Sequence, residues 1–169
     1  MGEYAKGTSV SVERSMEEIR RSLQRYGADC FGYLDEPGSA TVGFRVHGKM
    51  VRFVVPLPDR TAAEFTRTPD RGLKRTAKQA EAAYDQEVRR RWRALSLVVK
   101  AKLEAVSSGI VTFDQEFFAH FVLPNGQTVW EHAGEPTVQA IARNEMPAIG
   151  MFGGGGERIA LPAPEEEGR

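Results

Sequence analysis

The cations of this chain concentrate in one stretch, residues 74–93, where their side chains could contact phosphate groups. They form two groups: Lys74, Arg75 and Lys78, then Arg89, Arg90, Arg91 and Arg93. Clustered Lys and Arg supply the salt-dependent electrostatic part of nucleic-acid binding. Trp92 lies inside the second group, and its ring could stack on a base. The pattern therefore predicts a nucleic-acid-binding surface.

The same arginines have a second interpretation, a solvated helix face with internal ion pairs. Asp85–Arg89 and Glu87–Arg91 have the i, i+4 spacing at which opposite charges on a helix interact. Trp92 falls on an apolar stripe, which favours a core or an interface over base stacking. Arg91 is left out of the predicted contacts because of its pairing with Glu87. The predicted nucleic-acid-binding residues of this stretch are Lys74, Arg75, Lys78, Arg89, Arg90 and Arg93.

A further set of cations lies on or near a predicted β-hairpin. Residues 40–46 and 50–55 alternate apolar with polar side chains on either side of His47-Gly48-Lys49, which is typical of two antiparallel strands and a turn. The cations that could lie along a nucleic-acid backbone here are Arg45, Lys49 and Arg52. The alternative is an ordinary exposed sheet face, and both interpretations stay open.

No motif in the sequence predicts catalysis or a metal centre. His47, His120 and His132 are the only histidines, and none stands near another histidine or a cysteine at metal-ligand spacing. Gly153–Gly156 lacks the Lys and Ser/Thr that follow the glycines of a phosphate-binding loop. We therefore expect a protein that is not an enzyme and that holds no metal ion or other cofactor.

Composition is that of an ordinary globular protein. Of the 169 residues, 41% are hydrophobic and 27% charged, and 23 basic residues balance 23 acidic ones. The balance hides a skew, because residues 71–93 are predominantly basic whereas Glu165–Glu167 lie near the end of the sequence. The single cysteine, Cys30, excludes an intramolecular disulfide. Without a signal segment or a membrane-spanning run, a cytoplasmic protein with no membrane partner is expected.

One long predicted helix, residues 74–107, must position most of these cations. The stretch contains no Pro or Gly and is rich in strong helix formers. Apolar residues recur in steps of three or four along one stripe: Tyr84, Val88, Trp92, Leu95, Val99, Leu103 and Val106. A helix of roughly 30 residues is about 45 Å long at 1.5 Å per residue, more than one small domain needs. We therefore expect the stripe to meet another element or a second copy, and the protein to form a homo-oligomer.

Shorter elements complete the predicted fold, which is α+β. Ser15-Met16-Glu17-Glu18 fits a capping box and opens a helix over residues 15–26. Residues 8–12 alternate like a short strand, and residues 29–56 supply the main strands. The sequence predicts an antiparallel sheet of three or four strands, with the N-terminal helix and the long helix packed on one face.

The remaining residues form a predicted appendage and tail. Thr112-Phe113-Asp114-Gln115 matches a second capping box and opens a short helix that ends near Phe121. Pro124-Asn125-Gly126 predicts a hairpin within residues 122–130, and a last helix is expected over residues 136–144. The predicted organisation is an α+β core over 1–107, a C-terminal appendage over 108–150 and a disordered Gly/Pro/Glu tail over 151–169.

Three runs of the sequence carry a family resemblance. They are RRRWRALSLVVKAKLEAVSSGIVTFDQEFFAHFVLPNGQTVW and, upstream of it, SMEEIRRSLQRYGA and VRFVVPLP. Together they resemble a family of small uncharacterised proteins from tailed bacteriophages, actinobacterial phages among them, over roughly residues 8–130. The resemblance implies a phage origin and action in the cytoplasm of a bacterial host, and it implies no activity.

The predicted order of helix, three strands and helix is similar to two nucleic-acid-binding architectures. One is the core of single-strand annealing recombinases, many of them phage-encoded, and the other is the double-stranded-RNA-binding domain. The run KRTAKQA from Lys74 to Ala80 resembles the basic start of the second helix of that domain. The loop before it is longer than in that domain, and the helix about twice as long, so the likeness is one of topology.

Two classes of function follow from the sequence. The first is a non-enzymatic phage protein that binds single- or double-stranded nucleic acid, related to strand annealing and recombination. The second is a phage protein that binds other proteins: an accessory or anti-defence factor, or a homo-oligomeric scaffold. The basic skew of the long helix favours the first class. Zero net charge, and the lack of aromatics interleaved along the basic face, favour the second.

Overall fold

A computed structural model describes Ala5 and residues 7–147, and its architecture is α+β. The elements in chain order are α1 (Val12–Arg25), β1 (Cys30–Glu36), β2 (Ser39–Val46), β3 (Lys49–Pro56), α2 (Ala63–Thr66), α3 (Ala77–Ser107), α4 (Phe113–Phe117), a 3₁₀ turn (Phe118–His120) and α5 (Val129–Ala142). The predicted fold class, with an N-terminal helix, an antiparallel sheet and one long helix, is confirmed. The predicted disordered tail, residues 151–169, lies outside the described residues.

The sheet has three antiparallel strands in the order β1-β2-β3. The turn between β2 and β3 is shorter than predicted, because Lys49 already pairs with Val46 and opens β3. His47 and Gly48 have φ angles of 49° and 76°, the left-handed backbone that a two-residue hairpin turn of type I′ requires at both positions. The predicted hairpin is confirmed, with its turn reduced to two residues.

The two faces of the sheet differ in their surroundings. The buried face carries the apolar residues of β2 and β3 that alternate along each strand: Ala40, Val42, Phe44, Val46, Val51, Phe53 and Val55. These residues pack in one core with residues of α1, α3 and α4. On the opposite face, Arg45, Met50 and Val54 are exposed. We call that second face the open face.

Helix α1 begins one turn earlier than predicted. The Ser11 hydroxyl accepts a hydrogen bond from the Arg14 N–H at 3.2 Å, so Ser11 is the N-cap. Ser15, the predicted cap, is buried and donates its hydroxyl to the Ser11 carbonyl at 3.1 Å. The earlier start adds Val12 to the apolar residues packed on the core. The prediction of a strand over residues 8–12 is wrong, because this segment leads into the cap.

Helix α3 begins after Lys74 and Arg75 rather than at them. Thr76 and Gln79 form a capping box, with backbone-to-side-chain hydrogen bonds of 3.0 and 3.3 Å, so the first helical residue is Ala77. The helix ends at Ser107, and Gly109 follows it with a left-handed φ of 71°. Two predicted phosphate-contacting cations therefore stand in the loop before the helix.

The apolar stripe of α3 is covered within this chain. Its middle residues Trp92, Leu95, Val99 and Leu103 are buried in the core, and Val88 and Val106 pack partly against it. Tyr84, near its start, meets the ring of Phe65 in α2 edge-on, with centroids 5.7 Å apart. Along its length the stripe is covered by α2, α1, the sheet and α4. The stripe therefore gives no reason for a second copy, contrary to the argument from its length.

The segment after α4 departs from the predicted helix and hairpin. The predicted helix to Phe121 is divided into α4 and the 3₁₀ turn, because Phe121 turns extended and bridges Val51 on β3. The predicted hairpin over 122–130 is reduced to a single bridge between Val122 and Thr128. Thr128 and Glu131 then cap α5 reciprocally, at 3.1 and 2.7 Å, so this helix begins at Val129 rather than near Pro136.

The chain divides into two compact units, and the boundary falls within α5 after Gly134. In the second unit, Gln139 donates to Glu135 at 2.8 Å and Arg143 pairs with Glu145 at 3.0 Å. Among the described residues, no helix combines the length and the apolar character needed to cross a membrane.

Candidate nucleic-acid interface

The predicted arginine group on α3 is half-buried and bonded within the chain. The Glu87 carboxylate accepts hydrogen bonds from Arg90 at 2.6 and 2.7 Å and from Arg91 at 2.8 Å. The Glu87–Arg91 pair predicted from spacing is thus confirmed. Arg89 donates to the Gln86 amide oxygen at 2.8 Å rather than to Asp85. The hydrogen bond from Arg90 is the main cause that lowers the pKa of Glu87, so this carboxylate is charged at neutral pH.

Two of these arginines hold α3 against its neighbours. Arg93 pairs with Glu18 on α1, and the two side chains are only 24% and 33% exposed. Arg91 donates to the Pro56 carbonyl at the end of β3. The arginines therefore act at contacts between elements, and a phosphate that bound Arg93 would compete with Glu18.

The hairpin cations also have acidic partners. Arg45 pairs with Asp29 at 2.9 Å, and this contact raises the pKa of Arg45. Lys49 pairs with Asp114 in the first turn of α4. Arg52, on the open face, pairs with Glu131 in the first turn of α5. The three predicted backbone-contacting residues of the hairpin thus connect the sheet to neighbouring segments.

The segment from Arg67 to Lys78, which we call the cationic segment, is folded into a tight loop before α3. Arg67 and Lys74 pair as an isolated antiparallel bridge. Inside the loop, the Thr68 N–H donates to the Leu73 carbonyl at 2.8 Å, and the Leu73 N–H donates back to the Thr68 hydroxyl at 3.1 Å. These bonds fix the loop together with the Arg67 side chain, which donates to the Gly72 carbonyl at 3.2 Å.

Arg75 anchors the cationic segment to α2. One of its terminal nitrogens donates to the Glu64 carbonyl at 2.9 Å and to the Phe65 carbonyl at 3.3 Å. Those carbonyls belong to a four-residue helix whose last C=O groups have few partners of their own. Arg75 therefore keeps its full positive charge while it orders the segment.

The cationic segment is the part of the predicted site whose charge is not neutralised. It carries five cations and one carboxylate, Asp70. The cations are Arg67, Arg71, Lys74, Arg75 and Lys78. All but Arg75 are exposed. Within the described ranges, none of the five forms an ion pair with a carboxylate.

The structure thus separates the predicted residues into two kinds. Lys74 and Lys78 are exposed and pair with no carboxylate among residues 7–147, and Arg75 is charged but anchored to α2. The α3 and hairpin residues predicted alongside them are engaged with partners in the fold. Arg67 and Arg71 were missed by the sequence argument. Their signal was the polar, Pro- and Gly-containing loop before the long helix, since such loops often carry function.

His120 lies in surroundings that lower its pKa. It is half-buried in the 3₁₀ turn, and its ring lies against the Phe53 ring with centroids 4.1 Å apart. Burial lowers the pKa of His120, Lys102 lowers it further, and Glu116 opposes the change. In the part of the chain that the structure covers, no three His, Cys, Asp or Glu side chains form a group that could hold a metal ion.

We expect protonation of His120 to destabilise the fold. Because the pKa of His120 is lower in the folded than in the unfolded chain, its contribution is complete above the unfolded value of about 6.5. The contribution is lost as pH falls from there through the folded pKa. Unfolding midpoints measured at several pH values should therefore decline less on mild acidification in His120→Gln than in the wild type. Parallel curves for the two proteins would contradict this account.

Comparison of the chain with protein-family models, with curated proteins and with solved structures finds no match. No relative or structural neighbour therefore assigns a role to these residues. The phage resemblance and the likeness in topology to annealing recombinases and double-stranded-RNA-binding domains stay predictions.

Proposed function

We propose that this chain is a non-enzymatic nucleic-acid-binding protein that contacts phosphate groups through the cationic segment, Arg67 to Lys78. The observation that supports the proposal is that the five cations of that segment pair with no carboxylate in the part of the chain that the structure describes. In keeping with the family resemblance, we propose a phage protein that acts in the host cytoplasm, in a process related to strand annealing or recombination.

Like charges at the base of the loop support an anionic ligand. Arg67 and Lys74 are bridge partners in an antiparallel pair, and side chains of directly opposite residues lie on one face, about 5 Å apart at Cβ. Two cations in that arrangement repel each other and destabilise the pair. A phosphate between them would turn the repulsion into attraction.

The free-energy cost of bringing each cation to a phosphate also favours the cationic segment. Lys74 and Lys78 lose only hydration and side-chain freedom when they bind a phosphate. Arg93 would have to leave Glu18, whose side chain is only 33% exposed, and an uncompensated, partly buried charge is expensive. The α3 arginines are therefore assigned to the fold, and the cationic segment to the ligand.

The double reversal Lys74→Glu, Lys78→Glu should strongly weaken binding without changing the fold. Fluorescence anisotropy with labelled single-stranded and duplex DNA and RNA, at about 50 mM and 200 mM salt, measures it. We expect an affinity loss of at least tenfold and a slope of log affinity against log salt that is flatter by roughly two units for duplex DNA, about one per phosphate contact.

The matched control is Arg25→Glu, Lys100→Glu. Both residues are exposed and outside the cationic segment, and the control changes the net charge by the same amount. It should bind nearly as the wild type does. Equal losses in the two variants would mean that net charge alone matters, and the assignment of the segment would fail. A wild type that binds none of the four nucleic acids at the lower salt would overturn the proposed function and favour a protein partner.

A further inference from the structure

Strand β1 is one edge of the three-stranded sheet. It lies outside β2 in the sheet, and no bridge in the described part of the chain touches its outer side. Every residue of the strand except Phe31 is exposed, including Tyr33 at 56% and Leu34 at 57%. The other edge, β3, is bridged at Val51 by Phe121. An uncovered edge with apolar side chains is a template for pairing with another strand.

The backbone of β1 presents its free groups at alternate residues. A two-residue turn, Pro37-Gly38, joins β1 to β2 and closes on the pair Glu36–Ser39. Hydrogen-bonded pairs recur at every second residue of an antiparallel ladder, so Leu34, Gly32 and Cys30 also point towards β2. The N–H and C=O groups that point outward are those of Phe31, Tyr33 and Asp35.

We propose that this edge binds β1 of a second copy of the chain, antiparallel about a two-fold axis at Tyr33, so that two three-stranded sheets become one. Tyr33 is the middle residue of the strand and one of the three outward residues. Pairing Tyr33 with Tyr33 of the second copy sets Phe31 opposite Asp35, and all outward groups then find partners. A two-fold interface of this kind is self-complementary.

Side chains on the open face fit the same register. Leu34 falls opposite Gly32 of the second copy, where no side chain obstructs it. Gly32 also lines, with Gly43, Thr41 and Met50, a shallow hollow of about 280 Å³ in the open face. Leu34 of each copy would lie at the mouth of the hollow of the other. The two exposed leucines are thereby covered in the dimer.

Charge complementarity argues for a second copy over an unrelated strand. Cys30 pairs with Arg45 on β2 and would face Glu36 of the second copy on its other side. Arg45 and that glutamate are then two strands apart, about 10 Å in backbone spacing, across a small cysteine side chain. The Arg45 Nε is bonded to Asp29 at 2.9 Å, and the terminal nitrogens of the same guanidinium can approach the carboxylate over this gap. Symmetry gives the contact twice, and the central residues 30–34 carry no charge that would oppose pairing.

Cross-linking at the axis tests the register in the full chain. In Cys30→Ser, Tyr33→Cys the two thiols face each other with Cα atoms about 5.5 Å apart, within the range of a disulfide. Mild oxidation should convert most of this variant into a covalent dimer. The matched variant Cys30→Ser, Leu34→Cys should form little covalent dimer on oxidation, because position 34 faces position 32 of the second copy rather than its own counterpart. The wild type should not cross-link, since its two Cys30 residues lie about 20 Å apart at 3.3 Å per residue.

Light scattering at tens of micromolar tests the edge itself. The wild type should be a dimer and Tyr33→Lys a monomer with an unchanged circular dichroism spectrum. Val54→Lys, an equivalent change on the exposed side of β3, should stay a dimer. A monomeric wild type overturns the proposal. So does a dimer that Val54→Lys disrupts and Tyr33→Lys leaves intact, because the open face would then be the interface.

Hydrogen exchange distinguishes the other occupants of the edge. In the proposed dimer, protection of the Phe31, Tyr33 and Asp35 amides should rise with protein concentration. Protection of these amides in a monomer, independent of concentration, would mean that another segment of the same chain covers β1, and would overturn the proposal. Unprotected amides in a monomer would mean that β1 binds neither a second copy nor another segment of the chain. That result would overturn the proposal as well and favour a different partner for the edge.

Discussion

Replacing Trp92 with alanine is expected to lower the free energy of unfolding by about 3–5 kcal/mol, because a large buried side chain is removed and a cavity remains. The Trp92 side chain is 2% exposed and belongs to the core between the sheet, α1 and α3. For a chain of this size the loss should lower the melting temperature by roughly 10 °C or more. Urea and thermal unfolding followed by circular dichroism measure both quantities.

The control for this change lies six residues further along the same helix. Val98 is 45% exposed, and Val98→Ala should alter the unfolding free energy by about 0.5 kcal/mol or less. A Trp92→Ala protein that kept its stability but lost affinity for single-stranded nucleic acid would contradict this account. It would support the other interpretation of the Trp92 ring, as a platform on which bases stack.

The periodicity of apolar residues in the sequence was a reliable guide to the main elements. The choice among possible N-cap residues was not reliable. The three-to-four spacing from Tyr84 to Val106 predicted the buried stripe of α3 because helical burial follows a 3.6-residue period. The start of α1 was missed because Ser11 and Ser15 both suit an N-cap. Their difference lies in the packing of Val12, which depends on the folded core.

The C-terminal elements show a competition that local patterns do not resolve. Pro124-Asn125-Gly126 is a hairpin signal, yet the capping pair Thr128 and Glu131 opens a helix directly after it. The helix forms because hydrogen bonds in its first turn satisfy the Thr128 and Glu131 N–H groups. Glu131 also pairs with Arg52 on β3. That last contact joins residues far apart in the chain, so no local window contains it.

The sequence predicted which residues carry the positive charges of the candidate site. It did not predict which of these cations are paired with carboxylates in the fold. The sequence identified Lys74, Arg75 and Lys78 and, on α3, Arg89, Arg90 and Arg93 as equal candidates. What distinguishes them is whether a carboxylate stands nearby in the fold. Glu18, the partner of Arg93, is 75 residues away along the chain, and only the packing of α1 against α3 brings the two together. Long-range ion pairs of this kind have no sequence signature.

The Arg93–Glu18 pair gives the second large effect. Arg93→Glu should lower the free energy of unfolding by about 2–3 kcal/mol, between the values for exposed and for buried pairs, because both side chains are mostly covered. The change removes a hydrogen-bonded ion pair and adds repulsion between two carboxylates at the α1–α3 contact. Urea unfolding at neutral pH and moderate salt measures the loss.

Two variants make this prediction specific to the pair. Arg89→Glu should be milder than Arg93→Glu, because its partner Gln86 is neutral. The swap Glu18→Arg, Arg93→Glu should recover a large part of the lost stability by restoring opposite charges across the contact. A combined reversal of Arg89, Arg90 and Arg93 would accordingly weaken the fold, and lost nucleic-acid binding in that variant could not be assigned to phosphate contacts. If Arg93→Glu is as stable as the wild type, the pair does not hold α1 to α3, and Arg93 returns to the residues free to bind a phosphate.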